Sequence, residues 1–536
     1  MMTCGEAVAH LLALKGVRHV FGIPGVHNLE LYRGLPGAGI THISPRHEQG
    51  AVFMADGYAR MARTPGVCFL ITGPGATNAL TGAAQAYADS VPLLLIASGS
   101  TRADLGRGSG ALHEIQDQCA AMAQAAGMAH RLLDPANLEE VLYQAFALFT
   151  AARPRPVYLE IPVDVLEAPW PGSLPMDAPG PIECPHPAPS ALSAAADRLV
   201  AARRPLIVAG GGAVDSAVPL RRLAEGLGAP VLLTSNARGL LPPDHPQLAD
   251  NGLACAGAAE LLADVDLLVA VGTELGATDF GRRSVGLLHR PARIRIDIDP
   301  AQMRGTRAGD VAVVGAAAPA LESLAEVTRG RAASEPGWSA RVVDGLGRMA
   351  AQATAPEDSM IDRMLAALAT HAGAPVIVGD STQPVYRGFR RHRAPRPLSW
   401  FNSATGYGTL GYALPAAIGA RLAAPDRPVV ALIGDGGLQF TLAELMSARE
   451  AVGDLLVIVW NNARYREIAL AMDGATIAPA GVEIAPPDLG GIARAMGIAY
   501  SIVGEAGALE RAIASHNFRG LGILEVCLPG AGEHVG

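Results

Sequence analysis

The most constraining stretch of this chain lies near its C-terminus, from Pro428 to Asn462, and reads PVVALIGDGGLQFTLAELMSAREAVGDLLVIVWNN. Two unbroken apolar runs, Val429–Ile433 and Leu455–Trp460, have the length of buried strands, and the turn pair Gly453-Asp454 introduces the second. Between them Thr441 and Glu444 have the spacing of a capping box, which predicts a helix starting there. Strand, helix and strand make a right-handed βαβ unit with parallel strands, so both strands end on the same edge of the sheet. Asp435 stands just past the first end and Asn462 just past the second. A carboxylate and an amide oxygen are therefore expected to meet beside Gly434, Gly436 and Gly437, whose backbone lets a ligand approach closely. Hard divalent cations take oxygen ligands of this kind, and magnesium shares them with phosphate oxygens. GDG alone is an ordinary turn. The Asn at the crossover spacing makes the pair read as a metal–diphosphate anchor.

At 536 residues, half of them apolar, the chain exceeds what one core can organise, and about three domains are expected. No apolar run reaches membrane-spanning length; the longest, such as Leu93–Ala97, are strand-sized. The opening MMTCGEAVAHLL lacks the basic and apolar regions of a secretory leader, and the six scattered cysteines form no C-x-x-C pair. A reduced, cytoplasmic setting without membrane attachment is the expectation. Net charge is −8, and the densest basic run, Arg387–Arg396, is short, which argues against nucleic acid. Lys15 is the single lysine among 42 basic residues. It closes an amphipathic helix pattern, where a solvated position is expected. A Walker loop and a buried Schiff-base lysine are both excluded.

Up to about Val165, the strand-like segments HVFGI, GVCFLIT and PLLLIAS alternate with helical ones, the pattern of a parallel α/β sheet. Two glycine-rich loops follow strands: GIPG, ending at Gly25, and GPGATN, from Gly73 to Asn78. A third segment, SPRHEQGAVFMADGYARMA, opens a helix at Glu48, where an acid also complements the helix dipole. His47 before it is expected to pack or cap. The Pro-rich Glu167–Pro189 reads as a linker, and a second linker is expected over Gly330–Glu357. In the middle section, Gly210–Gly212 follows a strand but departs from G-x-G-x-x-G. Asp297 and Asp299 end another strand, placed for a ribose hydroxyl or simply solvated. Ser381 and Thr382 follow the first strand of the last section, where they can donate to phosphate oxygens.

The GDG-to-NN stretch resembles the thiamine diphosphate signature. RHEQGAVFMADGYAR, GPGATN and QAYADSVPLL resemble the pyrimidine-binding domain of the same enzymes, and FNSATGYGTLGYALPAAIGA the segment beneath the cofactor. The resemblance implies three α/β domains: residues 1–168 and 356–536, each with the thiamine diphosphate-binding fold, and a Rossmann-like domain over 190–330. Each is a parallel sheet flanked by helices. It implies that Glu48 hydrogen-bonds a pyrimidine nitrogen and that Leu410, next to Gly408, props the cofactor rings. Gly25, Gly73 and Asn78 would also line the cofactor. Asp435, Asn462 and the carbonyl of Arg464 would hold Mg2+ on the diphosphate; family members often carry Gly near that third position. FAD occupies the middle domain of the acetolactate synthases in this family and is not adopted here. A homodimer or homotetramer with active sites at subunit interfaces is implied.

The cofactor chemistry implied is loss of carbon dioxide from a 2-oxo acid. His113 stands where acetolactate synthases usually carry Gln and several simple 2-oxo-acid decarboxylases carry His. An imidazole there is a proton donor, favouring an aldehyde product over joining of two 2-oxo acids. RHEQGAVFMADGYAR, LHE and DSTQPVY resemble proteins assigned as 5-guanidino-2-oxopentanoate decarboxylases. A guanidinium tail needs a carboxylate, for which Glu467 is the candidate, Arg464 and Arg466 being opposing charges; Glu114, beside His113, is placed to orient it or to bind substrate. The alternatives are an acetolactate synthase-type carboligase and a catalytically silent regulatory or binding relative. Retention of the glutamate and the metal-ligand set weighs against the second.

Overall fold

A computed structural model of the chain describes residues 2–174, 180, 182–250, 253, 255, 257–331, 334–352, 355 and 357–528. Three parallel sheets flanked by helices carry it. The first contains β1 (His19–Gly22), β2 (Thr41–Ile43), β3 (Gly66–Leu70), β4 (Leu93–Gly99), β5 (Met128–Arg131) and β6 (Val157–Pro162), in the order β2-β1-β3-β4-β6-β5. The middle sheet contains β7 (Pro205–Ala209), β8 (Val231–Leu233), β9 (Leu267–Val271), β10 (Ala292–Asp297) and β11 (Val311–Val314), in the order β11-β10-β9-β7-β8. In the last section β12 (Val376–Gly379) pairs with β13 (Trp400–Asn402). There β14 (Val429–Gly434), β15 (Leu455–Asn461), β16 (Ala499–Val503) and β17 (Leu521–Cys527) run in the order β14-β15-β17-β16.

The chain divides into two compact units. One is Met1–Glu183 with Tyr407–Gly504 and Ser515–Gly536; the other is Cys184–Gly406 with Glu505–Ala514. In the first unit β3 and β4 are buried along their whole length, which is why their sequences read as continuous apolar runs. The expected βαβ unit is present, with β14 and β15 parallel and Val430 opposite Leu456. The helix Glu48–Ala62 packs on the helix Ala413–Ala423 with backbone nearly touching backbone. A Cβ at Gly57 would strike the Ala416 carbonyl and one at Gly419 the Met54 carbonyl, so glycine at both positions sets the crossing. Beside it lies a buried network. Arg60 pairs with Asp56 at 2.7 Å and Asp89 at 2.8 Å, and Tyr412 donates to Asp56.

In the second unit Val208, Leu232, Ala270 and Trp338 share one core cluster, on which Leu346 also packs. Trp338 opens a helix, Trp338–Gln352, inside the segment expected to be a linker. That expectation is corrected: Trp338, Val342 and Leu346, four apart, form an apolar stripe that is buried. Parts of both expected linkers, residues 175–179, 181, 332–333, 353–354 and 356, lie outside the described residues. Gly212 donates its N–H to the Gly272 carbonyl at 3.0 Å. Asp297 and Asp299 cap the turn after β10, accepting from the N–H groups of Asp299 and Ala301 at 2.9 Å. Lys15 is not simply solvated: its ammonium lies over the Tyr143 and Phe146 rings, at 5.5 and 5.6 Å. None of the six cysteines is joined in a disulfide. Among the described residues no helix is long and apolar enough to cross a membrane.

Candidate active site

Strand order in the first sheet turns around at β1, whose neighbours are β2 and β3. In a parallel sheet such a point opens a crevice at the strands' carboxyl ends. The loops after β1, β3 and β4 all emerge at that edge. The first is built on Asn28, fully buried, which accepts from the Gly25 N–H at 2.8 Å and donates to the Ile23 carbonyl at 3.2 Å. The second turns at Gly73, with φ of 68°. A Cβ there would stand 2.5 Å from the His113 carbonyl oxygen and 2.9 Å from its Cβ, so only glycine lets the second and third loops touch. Gln118, buried beneath, ties both together. Its oxygen accepts from the Gly73 N–H at 2.6 Å and the Thr72 hydroxyl at 3.0 Å. Its amide donates to the Ser98 carbonyl at 2.9 Å and the Tyr158 hydroxyl at 2.8 Å.

His113 itself has φ of 68°, unusual for a residue with a side chain. Its Nδ1 lies 3.1 Å from the Thr72 carbonyl. A carbonyl only accepts, so Nδ1 carries a hydrogen and Nε2 is the nitrogen that exchanges protons. Glu114 beside it is committed to its own loop. One oxygen faces the N–H groups of Gly108 and Ser109, the other those of Gly110 and Ala111. Slight burial pushes its carboxyl up, but these four bonds outweigh it and hold the pKa below the ordinary value.

Glu48 is the first residue of its helix, and His47 caps it, accepting from the Gln49 N–H at 3.1 Å. The Glu48 carboxylate is buried and accepts from the Asn78 amide at 3.0 Å. Asn78 belongs to the helix Pro74–Asp89, which starts at the Gly73 turn. The capping box expected at Thr441 and Glu444 does not form. The helix Glu444–Ala451 has Ala443 as N-cap, and the Thr441 hydroxyl donates instead to the Gly411 carbonyl at 2.9 Å. Glu444 is drawn away because its buried carboxylate accepts from the backbone N–H groups of Arg46 and His47, at 3.0 and 3.1 Å. Leu410 lies between two glycines with φ of 80°, Gly408 and Gly411. It is half-buried rather than a core residue. Gln85 fixes the neighbouring Thr409, accepting from its N–H at 3.1 Å and hydroxyl at 2.9 Å.

The GDG and NN ends meet. One Asp435 carboxylate oxygen lies 3.3 Å from the Asn462 N–H, and the other is buried with no hydrogen-bond partner. Burial, with some repulsion from Glu525, pushes the Asp435 carboxyl up to about 6. The Asn462 side-chain oxygen accepts from the Arg464 N–H at 3.1 Å, closing a tight turn in which Ala463 takes φ of 52°. The left-handed residue of this turn is thus Ala463, while Arg464 presents an ordinary backbone. Among the described residues no cluster of three or more His, Cys, Asp or Glu could hold a metal. The orphaned Asp435 oxygen with neighbouring amide and carbonyl oxygens fits a hard divalent cation. Gly434 precedes the short helix Asp435–Gln439, in which Gly436 and Gly437 are buried. Asn461, the first of the Asn pair, donates to the buried Glu525 at 2.5 Å.

Ser381 and Thr382 follow β12 in the second unit, where the Ser381 N–H donates to the Asp380 carboxylate at 2.7 Å. Glu467 is exposed in the first turn of the helix Arg466–Gly474. Arg464 and Glu483 approach to 2.8 Å as an ion pair without an aligned hydrogen bond. The sequence reading did not identify Asn28, Gln85, Gln118, Glu444 or Glu525 as site-building residues. Asn28 acts within its own loop, on Gly25 and Ile23; the other four act on partners distant in sequence, which only a spatial arrangement reveals.

Residues 2–123 match the N-terminal TPP binding domain of thiamine pyrophosphate enzymes, 192–324 the central domain and 378–520 the C-terminal TPP binding domain. The chain is 45% identical to the "Probable 2-ketoarginine decarboxylase AruI" of Pseudomonas aeruginosa, over 95% of this chain and 91% of that one. It is 31% identical to the acetolactate synthase isozyme 3 large subunit of Escherichia coli, over 87% and 83%. The X-ray structure of a candidate thiamin diphosphate-dependent enzyme from Mycobacterium smegmatis shares its fold. The TM-score is 0.81 with 24% identity, over 98% of this chain and 99% of that one. With the two TPP binding domains, the central domain and near full-length relatives all in agreement, the chain belongs to the thiamine pyrophosphate enzymes.

Proposed function

We propose that this enzyme is a thiamine diphosphate- and magnesium-dependent, non-oxidative decarboxylase of a 2-oxo acid, and that its substrate is 5-guanidino-2-oxopentanoate, that is, 2-ketoarginine. The observation that carries this reading is the 45% identity to the Pseudomonas aeruginosa decarboxylase along almost the whole chain. The His113 imidazole supports it, being held at Nδ1 and free to exchange a proton at Nε2.

Bound thiamine diphosphate supplies the electron sink that lets a 2-oxo acid lose carbon dioxide. Asp435, Asn462 and the Arg464 carbonyl would hold magnesium. The backbone at Gly434, Gly436 and Gly437 would receive the diphosphate, and Ser381 and Thr382 are kept as further phosphate donors. Gly25, Gly73 and Gly408 would let backbone approach the cofactor rings, and Leu410 would prop them. Glu48, oriented by Asn78, would bond a ring nitrogen of the pyrimidine. His113 delivers the proton that completes the aldehyde, which sets the outcome apart from carboligation. Glu114 serves its loop; Glu467 is the carboxylate proposed for the guanidinium, and Glu483 offsets the opposing charge of Arg464. The domains are 1–168, 190–330 and 356–536, FAD is not part of the reading, and the working form is a cytoplasmic homodimer or homotetramer with shared sites.

The test is a panel of 2-oxo acids given to the purified protein with thiamine diphosphate and Mg2+, with carbon dioxide and product both identified. Aldehyde and carbon dioxide from 5-guanidino-2-oxopentanoate are expected. Acetolactate from pyruvate alone, above all with flavin retained on purification, overturns the proposal in favour of a carboligase.

A further inference from the structure

His27, on the loop after β1, plays no part in the scheme above. Its ring meets that of His113 edge to face, with centroids 5.3 Å apart and planes at 66°. The two histidines come from loops after different strands, β1 and β4, and the Thr72–Gly73 turn carries the carbonyl that holds His113. His113 is confined by that carbonyl, by the close Gly73 backbone and by the His27 ring. This confinement explains how a left-handed backbone persists at a residue with a side chain.

The second observation concerns His27 Nδ1, which is buried and has no hydrogen-bond partner. A lone pair tolerates that position better than an N–H, because an unsatisfied buried donor on a cation loses its solvation without compensation. Neutral His27, with its hydrogen on Nε2, is the form that fits.

The charged groups of the surrounding elements do not change this. Glu48 is engaged by Asn78, and Glu114 by the amides of residues 108–111. On the helix after the GIPG loop, Glu30 pairs with Arg33, and burial pushes the Tyr32 hydroxyl up, so it stays neutral. Asp117 pairs with Arg131. Burial first, and the charge of His113 second, push His27 below the ordinary histidine range.

We propose that His27 is the positioning residue of His113: its ring fixes the imidazole of His113 against the Gly73 turn. The proposal rests on the reading of His113 as proton donor, and its test separates the two.

The protein free of cofactor is carbethoxylated with diethyl pyrocarbonate across pH 5–8, and modification of His27 and His113 is read peptide by peptide by mass spectrometry. Only the neutral ring reacts. In the native chain His27 is expected to reach half-maximal reactivity at a pH below that of an ordinary histidine. In His113→Phe, which keeps a ring but removes the charge, the His27 midpoint is expected to rise by about half a pH unit or more, the size of a like-charge interaction at this separation when fully screened by water.

In turnover, His27→Ala is expected to lower kcat about tenfold with little change in KM, and His27→Phe, which restores the packing ring, to recover part of it. An unchanged His27 midpoint in His113→Phe overturns the proposal, and so does an unchanged kcat in His27→Ala. Full aldehyde formation by His113→Phe instead overturns His113 as the donor, and the pairing then stands or falls on the carbethoxylation profiles alone.

Discussion

The Glu444 carboxylate accepts the backbone N–H of Arg46 at 3.0 Å, two residues before Glu48 and almost four hundred residues away in sequence. It also accepts from His47 and from the Ser447 hydroxyl. One buried acid of the last section therefore fixes the point where the Glu48 helix begins. Glu444→Ala removes the acceptor of two part-buried backbone donors, each bond worth about 1 kcal/mol. A clear drop in melting temperature is expected, together with loss of activity. Glu444→Gln keeps one acceptor oxygen and should fall between. Calorimetry and turnover on the same preparations check this, and native stability in Glu444→Ala would remove the assigned role.

The same reasoning about burial gives a pH dependence at Asp435. Without metal its carboxyl is raised from 3.8 to about 6, chiefly by burial. A raised value in the folded state means that the group's contribution is fully present below pH 3.8 and is lost as pH rises through about 6. The difference is on the order of 3 kcal/mol. The metal-free protein should therefore lose stability between about pH 4 and 6 from this group and level off above that, and Mg2+ with thiamine diphosphate should restore it. Because a proton competes for the same oxygens, Mg2+ uptake should weaken below about pH 6. Asp435→Asn without metal should be at least as stable as the native chain at pH 8, with a flatter pH profile and no response to Mg2+. Thermal melts with and without the ligands decide the matter; a native profile in Asp435→Asn would be incompatible with it.

How far the sequence discloses such a site depends on the range of the interaction. Runs such as Leu93–Ala97 and Leu455–Trp460 are legible because a parallel strand buried on both faces is continuously apolar. The meeting of Asp435 and Asn462 is legible because βαβ handedness fixes which strand ends coincide. Thr441 and Glu444 satisfy a local rule and yet obey a distant partner. At Thr3 and Glu6 the same spacing does form a capping box, with bonds of 2.8 and 3.2 Å. Nothing within four residues distinguishes the two cases. The helix Trp338–Gln352 was legible in principle, since Trp338, Val342 and Leu346 keep helical spacing amid small and polar neighbours.

Gly73 joins local backbone to the site. Its φ of 68° and the His113 carbonyl 2.5 Å from a built Cβ leave no room for a side chain. Gly73→Ala should cost about 1–3 kcal/mol through backbone strain alone. It should also push the His113 loop away, lowering kcat more than the stability loss explains. Denaturant unfolding beside steady-state kinetics separates the two effects, and an alanine variant with native kcat would show that the loops need not touch.

The contact between Asn78 and Glu48, 3.0 Å long and part-buried, is the most direct handle on the cofactor site. A hydrogen bond to a charged group is worth about 1.5–3 kcal/mol. If Asn78 orients the carboxylate, Asn78→Ala should lower kcat about ten- to a hundredfold, and Asn78→Asp more, because two acids would then face each other. Glu48→Gln should reduce turnover to a small residue while the fold survives, since the amide keeps the size of the side chain. The double variant then tests the linkage: once Glu48 is Gln, adding Asn78→Ala should change residual turnover and cofactor affinity far less than it does in the native background. Fully additive losses would mean that Asn78 meets the cofactor on its own account rather than through Glu48.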